Sequence, residues 1–195
     1  LSTGRPLRAD ARRNRERILR AARLAFAAEG VSVPLDEIAR RAGVGPGTVH
    51  RHFPTKETLF EAVVVEHLEQ LTQDAQAALQ AGRPGSAFFA FLTRMTGEAD
   101  TKQDLADAIA KSGAGTESTT QRAAAGLRET FAVLLERAQH VGAVRTDVDA
   151  EDVQAIVLAA LTAQRQRVDT DRPDRLAGLV LDCLRPNASA AESRR

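Results

Sequence analysis

LDEIARRAGVGPGTVHRHF, residues 35–53, holds two short helical patterns on either side of a glycine. Leu35, Ile38, Ala39 and Ala42 recur at i, i+3, i+4 and i+7, the spacing of one face of an amphipathic helix. Gly43 supplies the flexible backbone of a tight turn, and Val44 is an apolar plug before a second start at Gly45. Pro46 fits the first turn of the next helix, where its missing N–H costs nothing. Val49 and Phe53, four apart, seat that helix on a core. This is the layout of a helix-turn-helix over about 34–53. The other face of its second helix carries Gly47, Thr48, Arg51 and His52. Small residues at the amino end let such a helix sink into a major groove, where Arg51 and His52 reach base edges and Thr48 a phosphate oxygen. Pro54 and Thr55 then stop one helix and cap another, placing Lys56 beside a helix amino terminus that suits a backbone phosphate.

The same helical period extends in both directions. Ile18, Ala22, Ala25 and Phe26 form a stripe upstream. Downstream, a longer one runs through Phe60, Val64, His67, Leu68, Leu71, Ala75 and Ala78 to a stop at Gly82, Arg83, Pro84 and Gly85. Phe88, Phe89, Phe91, Leu92 and Met95 predict a short apolar helix, and Leu105, Ala106, Ile109 and Ala110 another. Ser112 to Thr120, rich in Gly, Ser and Thr, reads as a loop. Three further stripes follow: Leu127, Phe131, Leu134, Leu135 and Ala138; Val153, Ile156, Val157, Ala160 and Leu161; Leu176, Leu179, Val180, Cys183 and Leu184. Asp149 or Asp147 is expected to cap the second of these and Asp171 the third, and Pro186 closes the last. The reading is all-α, about nine helices with no strand, in keeping with 4% aromatic residues and thinly spread β-branched ones.

The 195 residues, 43% of them hydrophobic, suffice for one large domain or two small ones. Their net charge of +1 alone argues against a nucleic-acid-coating protein. By region the sum divides. Up to Lys56 there are twelve basic and five acidic side chains, a net +7, and the remainder has fifteen and twenty-one, a net −6. The lone Cys183 permits no internal disulfide, and no apolar run reaches the length of a membrane span, so a cytoplasmic protein is expected. Gly45 and Gly47 do not make a nucleotide-binding loop, because no strand precedes them and no Gly-Lys-Ser/Thr follows. His50 and His52 lie on different helix faces with no Cys or carboxylate cluster to complete a metal site. His67 and His140 read as core or boundary residues. No nucleophile, metal set or acid/base pair stands out, so neither an enzyme nor a cofactor is expected.

Residues 18–59, with LRAARLAFAAEG, LDEIARRAGVGPGTVHRHF and PTKETL, closely resemble the DNA-binding domain of the tetracycline-repressor (TetR) family of bacterial regulators. The resemblance implies a homodimer that grips a palindromic operator with paired recognition helices, a repressor released by a small-molecule effector. On that footing, residues 1–9 are expected to be a flexible basic arm, 10–70 the DNA-binding domain, 71–186 a ligand-binding and dimerisation domain, and 187–195 a disordered tail. DNA contacts are assigned to Arg12, Pro46, Gly47, Thr48, His50, Arg51, His52 and Lys56, with amino-terminal arginines lying along phosphates or the minor groove. Two positions depart from the family pattern. Gly45 replaces a common capping Ser, which weakens the cap by a few tenths of a kcal/mol. His50 replaces a phosphate-contacting Tyr; its ring N–H donates a similar bond and gains charge on acidification, so operator affinity is expected to rise modestly at mildly acidic pH.

For the second domain, Phe88, Phe91, Met95 and Phe131 are candidates to line an apolar effector pocket, with Arg128 as a polar anchor. Plain core packing is the competing account of each. The acidic balance there favours a neutral or cationic effector. Val153, Ile156, Val157, Ala160, Leu161, Leu176, Leu179, Val180, Cys183 and Leu184 are candidates for a dimer seam, internal packing being the competing account of about half. The rival functions are a helical interaction module that has lost DNA binding and, further off, a helical enzyme.

Overall fold

A computed structural model describes residues 4–97, 119–166 and 175–186, and among them every regular element is a helix. There are eight: α1 (Gly4–Glu29), α2 (Leu35–Ala42), α3 (Pro46–His52), α4 (Lys56–Gln80), α5 (Pro84–Gly97), α6 (Thr119–His140), α7 (Ala150–Gln166) and α8 (Arg175–Cys183). The helix expected over 105–110, the Asp171 cap and the tail over 187–195 lie outside the described residues. So does most of the expected loop, whose last two residues, Thr119 and Thr120, already belong to α6. The chain divides into two compact units, with the boundary between His67 and Leu68 inside α4.

In the first unit the apolar stripes read from sequence become the core. Ile18, Ala22, Ala25 and Phe26 of α1 meet Ile38, Ala39 and Ala42 of α2, Val49 and Phe53 around α3, and Leu59, Val63 and Val64 of α4, all buried. The Phe26 and Phe60 rings meet edge to face, centroids 5.5 Å apart. α1 is already helical at Gly4, inside the segment expected to be an arm. Arg, Ala, Leu and Glu, which dominate this stretch, lose little rotamer freedom in a helix. It ends where Gly30 takes a positive φ of 75° and its N–H returns to the Phe26 carbonyl.

The second unit is organised around three phenylalanines. Phe88 and Phe91 of α5 both face Phe131 of α6, at centroid distances of 5.9 and 6.0 Å. Leu92, Leu134, Leu135, Ala138, Val153, Val157 and Leu184 close over the cluster. The sequence stop after α4 is shorter than expected, because Pro84 opens α5 and Gly85 lies within it. Proline belongs there for the same reason as at Pro46: its fixed φ suits a first helical turn. Asp149, not Asp147, caps α7: its Oδ1 accepts from the Glu151 and Asp152 N–H groups at 2.9 Å, while the Asp149 N–H reaches Asp152 Oδ2 at 3.1 Å. Asp147 instead pairs with Arg145 at 2.6 Å.

Candidate nucleic-acid interface

The turn between α2 and α3 is closed by backbone geometry. Gly43 adopts φ 63°, ψ 40°, its N–H bonds to the Arg40 carbonyl, and the Val44 N–H reaches past it to Ala39, both at 3.1 Å. This 5→2 and 6→1 pair is the Schellman ending, and it needs a residue that tolerates the left-handed region. One side chain reinforces it. Arg17 of α1 donates from Nη2 to the Gly43 carbonyl at 2.9 Å, tying the first helix to the turn.

α3 starts at Pro46 with Gly45 as its N-cap and, as expected of glycine, no side-chain cap bond. Val49 is fully buried and Phe53 nearly so, which fixes the helix by one face. On the other face Pro46, Gly47, His50 and Arg51 are exposed, with Thr48 and His52 half-buried. A Cβ added at Gly47 would meet no atom within 4 Å, so the surface there is open to an incoming partner. His52 sits beside the Phe53 ring, centroids 6.3 Å apart. The expected contacts on α3 therefore stand on the side left uncovered when Val49 and Phe53 anchor the helix, the arrangement base-edge contact requires.

Lys56 is half-buried in the first turn of α4, as the sequence predicts. The helix start is held by reciprocal bonds, Thr58 N–H to Thr55 Oγ1 and Thr55 N–H to Thr58 Oγ1, each 3.2 Å. This is a capping box with threonine in the place usually taken by glutamate. Glu57 shares that terminus; its own backbone N–H and the Thr55 hydroxyl hold its carboxyl below the ordinary range. An anion approaching Lys56 thus meets a helix end already partly satisfied.

Electrostatics sort the arginines further. Arg40 pairs with Glu37 through two bonds of 2.6 and 2.8 Å, while Arg41 bridges Glu37 at 2.7 Å and Glu29 of α1 at 2.6 Å. Hydrogen bonds from Arg40 and then Arg41 hold the Glu37 carboxyl down at about 2. α2 therefore spends its positive charge on its own Glu37 and on Glu29 of α1. Arg12 is exposed and 3.6 Å from Glu16, a loose surface pair. Two arginines of α1 escaped the sequence reading: Arg17, and Arg15, whose guanidinium lies 5.4 Å over the Phe53 ring. Both were counted as charge, and neither spacing nor composition says which arginine turns toward α3.

The second unit holds the remaining candidates. Phe88, Phe91 and Phe131 are buried together and Met95 packs against them, so four of the five effector candidates form one apolar cluster. Arg128 lies on the exposed side of α6, with its Nε directed at the Ala124 carbonyl one turn back, at 3.4 Å. Of the seam candidates, Val153, Val157, Ala160 and Leu184 are buried in this unit's own core and Ile156 is half-buried. Leu179 and Cys183 are exposed, and Leu158, not singled out before, is exposed as well. The side chains of Leu161, Leu176 and Val180 lie outside the described set.

Among the described residues no helix is long and apolar enough to cross a membrane, and no group of three or more His, Cys, Asp or Glu is placed to hold a metal ion.

Comparison with known proteins gives the same reading for both units. Residues 18–63 match the model of bacterial regulatory proteins of the tetR family, and residues 83–186 that of the SbtR-like transcriptional regulator C-terminal domain. A TetR transcription regulatory protein from Mycobacterium vanbaalenii is 41% identical over 93% of this chain and all of its own, with a TM-score of 0.71. A TetR transcriptional regulator from Streptomyces coelicolor is 32% identical over 89% of this chain and 99% of its own, with a TM-score of 0.70. An HTH-type transcriptional regulator of Staphylococcus aureus is 36% identical over 76 residues, which are 35% of this chain and 41% of that protein. With a helix-turn-helix whose outer face is clear and a carboxyl-terminal match over residues 83–186, the chain belongs to the TetR family of transcriptional regulators.

Proposed function

We propose that the protein is a homodimeric repressor that binds a palindromic operator through α3 and leaves it when a small molecule occupies the second unit. The observation that carries the reading is the two-sided α3: Val49 and Phe53 fix it from within while Gly47, His50 and Arg51 stand clear. Arg51 is the base reader, since a guanidinium offers two parallel donors to a guanine edge. Thr48 and Lys56 hold phosphates and set register, and His52 borders the same groove. Two such helices about one turn of duplex apart, roughly 34 Å, read two half-sites.

The apolar cluster of Phe88, Phe91, Met95 and Phe131 supports an apolar effector site, neutral or cationic given the acidic balance of this region. An effector can shift the operator equilibrium only by its differential affinity for the bound and released arrangements. Exposed Leu158 and Leu179, with Cys183 and Ile156 beside them in sequence, supply apolar surface on the last two helices for a twofold partner.

Selection of bound duplex from a random pool tests the reading. A palindromic consensus is expected, and Arg51→Ala should relax it at one or two base pairs per half-site while the rest persists. Retention without any preferred sequence, or an unchanged preference in the Arg51 variant, would contradict the assignment.

A further inference from the structure

We propose that Arg15 and Arg17 of α1 are positioning residues for the reading helix: they hold α3 at its two ends, fix its roll against the core, and so set sequence discrimination without touching DNA. The inference rests on the reading of α3 above and names what keeps that helix in its reading pose.

α3 has seven residues, and its seat on the core is narrow. Val49 and Phe53, both buried and four apart, fall along one line of the helix surface, and no side-chain bond caps the amino end. A two-turn helix seated on a single line rolls about it easily, and roll swings Arg51 and Gly47 sideways in a groove while Val49 stays buried. Restraint has to come from off that line. Arg17 Nη2 donates to the Gly43 carbonyl at 2.9 Å, two residues ahead of the Gly45 N-cap. The Arg15 guanidinium lies 5.4 Å over the ring of Phe53, the C-cap residue. One arginine therefore engages the turn into α3 and the other engages its exit.

The register of α1 accounts for the division. Side chains two apart on a helix point about 200° apart, so neither arginine can stand in for the other. Fully buried Ile18 falls between them on the circumference, about 100° from Arg17 and about 60° from Arg15. The pair thus flanks the stripe that α1 presses on the core, a place where a long side chain covers apolar surface while its guanidinium stays at the rim. Each end suits a cation. Gly43 is the C-cap of α2, whose last carbonyls carry the negative end of the helix dipole, and the face of an aromatic ring attracts a guanidinium. Asp10 and Glu16, the acids of this part of α1, engage Arg13 and Arg12 instead.

A duplex read by two chains needs both α3 helices in the reading pose. If each keeps that pose half of the time once the restraints are gone, affinity for the preferred sequence falls about fourfold. An unrelated duplex, held through its phosphates, is bound as before.

The test uses the full chain, the duplex selected by the wild type and an unrelated duplex of equal length, each titrated against salt. Arg15→Met with Arg17→Met, which keeps the aliphatic stems, should bind the selected duplex about fourfold more weakly, with its affinity for the unrelated duplex and its salt slope close to the wild type. Arg15→Lys with Arg17→Lys should restore discrimination, since an ammonium still donates and still attracts a ring. Phe53→Leu keeps the apolar anchor and removes the ring; it should lose discrimination as Arg15→Met does, and the two together should lose no more than either alone. A salt slope lower by about 0.9 per arginine on both duplexes, roughly 4 for a dimer, overturns the proposal in favour of direct phosphate contact. Unaltered discrimination in the Met pair also overturns it and leaves α3 as the reader. A wild type that selects no preferred sequence removes both readings.

Discussion

Gly43→Ala perturbs one backbone position on which the direction of α3 depends. At φ 63° an alanine pays the left-handed penalty, on the order of 1–2 kcal/mol. Its Cβ would also lie 2.6 Å from Arg17 Nη2, at the far end of a flexible side chain that can move aside only by giving up its bond to the Gly43 carbonyl. That bond is exposed and solvent replaces much of it, so backbone strain dominates. Urea unfolding of the full chain, followed through a probe in α2 or α3, should show a midpoint lower by about 1 M for a slope near 1.5 kcal/mol per M. Two companions separate the causes. Gly43→Asn should lose less, because asparagine tolerates the left-handed region, and Gly43→Ala made in an Arg17→Ala background should still show most of the loss of stability. A Gly43→Ala midpoint within error of the wild type would refute the assignment of strain to this turn. Equal losses for Ala and Asn would instead place the cost in the contact with Arg17.

Removing the α7 cap with Asp149→Ala should cost about 1 kcal/mol, read as a lower melting temperature, since two N–H groups lose their acceptor. Gly85→Ala would set two Cβ atoms 2.4 Å apart against Ala143, neither able to rotate away, so overpacking of about 1–3 kcal/mol is expected in thermal unfolding. Glu37 is held down to about 2 by Arg40 and Arg41, so below its ordinary value of 4.5 the unfolded chain binds more protons than the folded one. Stability from this group is complete above about pH 5 and fades as pH falls toward about 2; Glu37→Gln should flatten the acid limb in that window, and an unaltered limb would count against the network. Leu158→Glu with Leu179→Glu should yield monomers in sedimentation with helicity retained, and a persisting dimer would move the seam elsewhere.

How far the sequence could be read depended on the kind of signal. Leu35, Ile38, Ala39 and Ala42 gave α2 its bounds to the residue, because a short amphipathic helix between Pro34 and Gly43 leaves no freedom at either end. Gly82 to Gly85 was harder, since proline both stops and starts helices, and only the fold shows that Pro84 does the latter. The apolar stripe of α7 illustrates the deeper limit. Period tells which face is covered and says nothing of what covers it, and Val153 and Val157 turn out to be covered by their own chain. Phe131 is far in sequence from Phe88 and Phe91, and composition gave reason to group the three but not to say that Arg128 stands on the exposed side of α6.

Charge shows the same passage from count to place. The +7 of the amino-terminal region is a sum in which acids and bases are interchangeable, yet in the fold they are not. Asp10, Glu16, Glu29 and Glu37 each engage particular arginines: Arg13, Arg12, Arg41, and Arg40 with Arg41. The positive excess is consequently not spread over the unit. Among the described residues Arg20, Arg23, Arg51 and Lys56 have no carboxylate within 4.0 Å, and Arg15 and Arg17 are directed at the recognition helix and its turn. Ion pairing of Arg40 and Arg41 with Glu37 and Glu29 thus leaves α2 no unpaired positive charge and the excess on α1, α3 and the start of α4. A phosphate backbone drawn to this unit is drawn to the elements that flank the reading face, and an Arg40→Ala or Arg41→Ala change should alter stability more than salt-dependent DNA affinity.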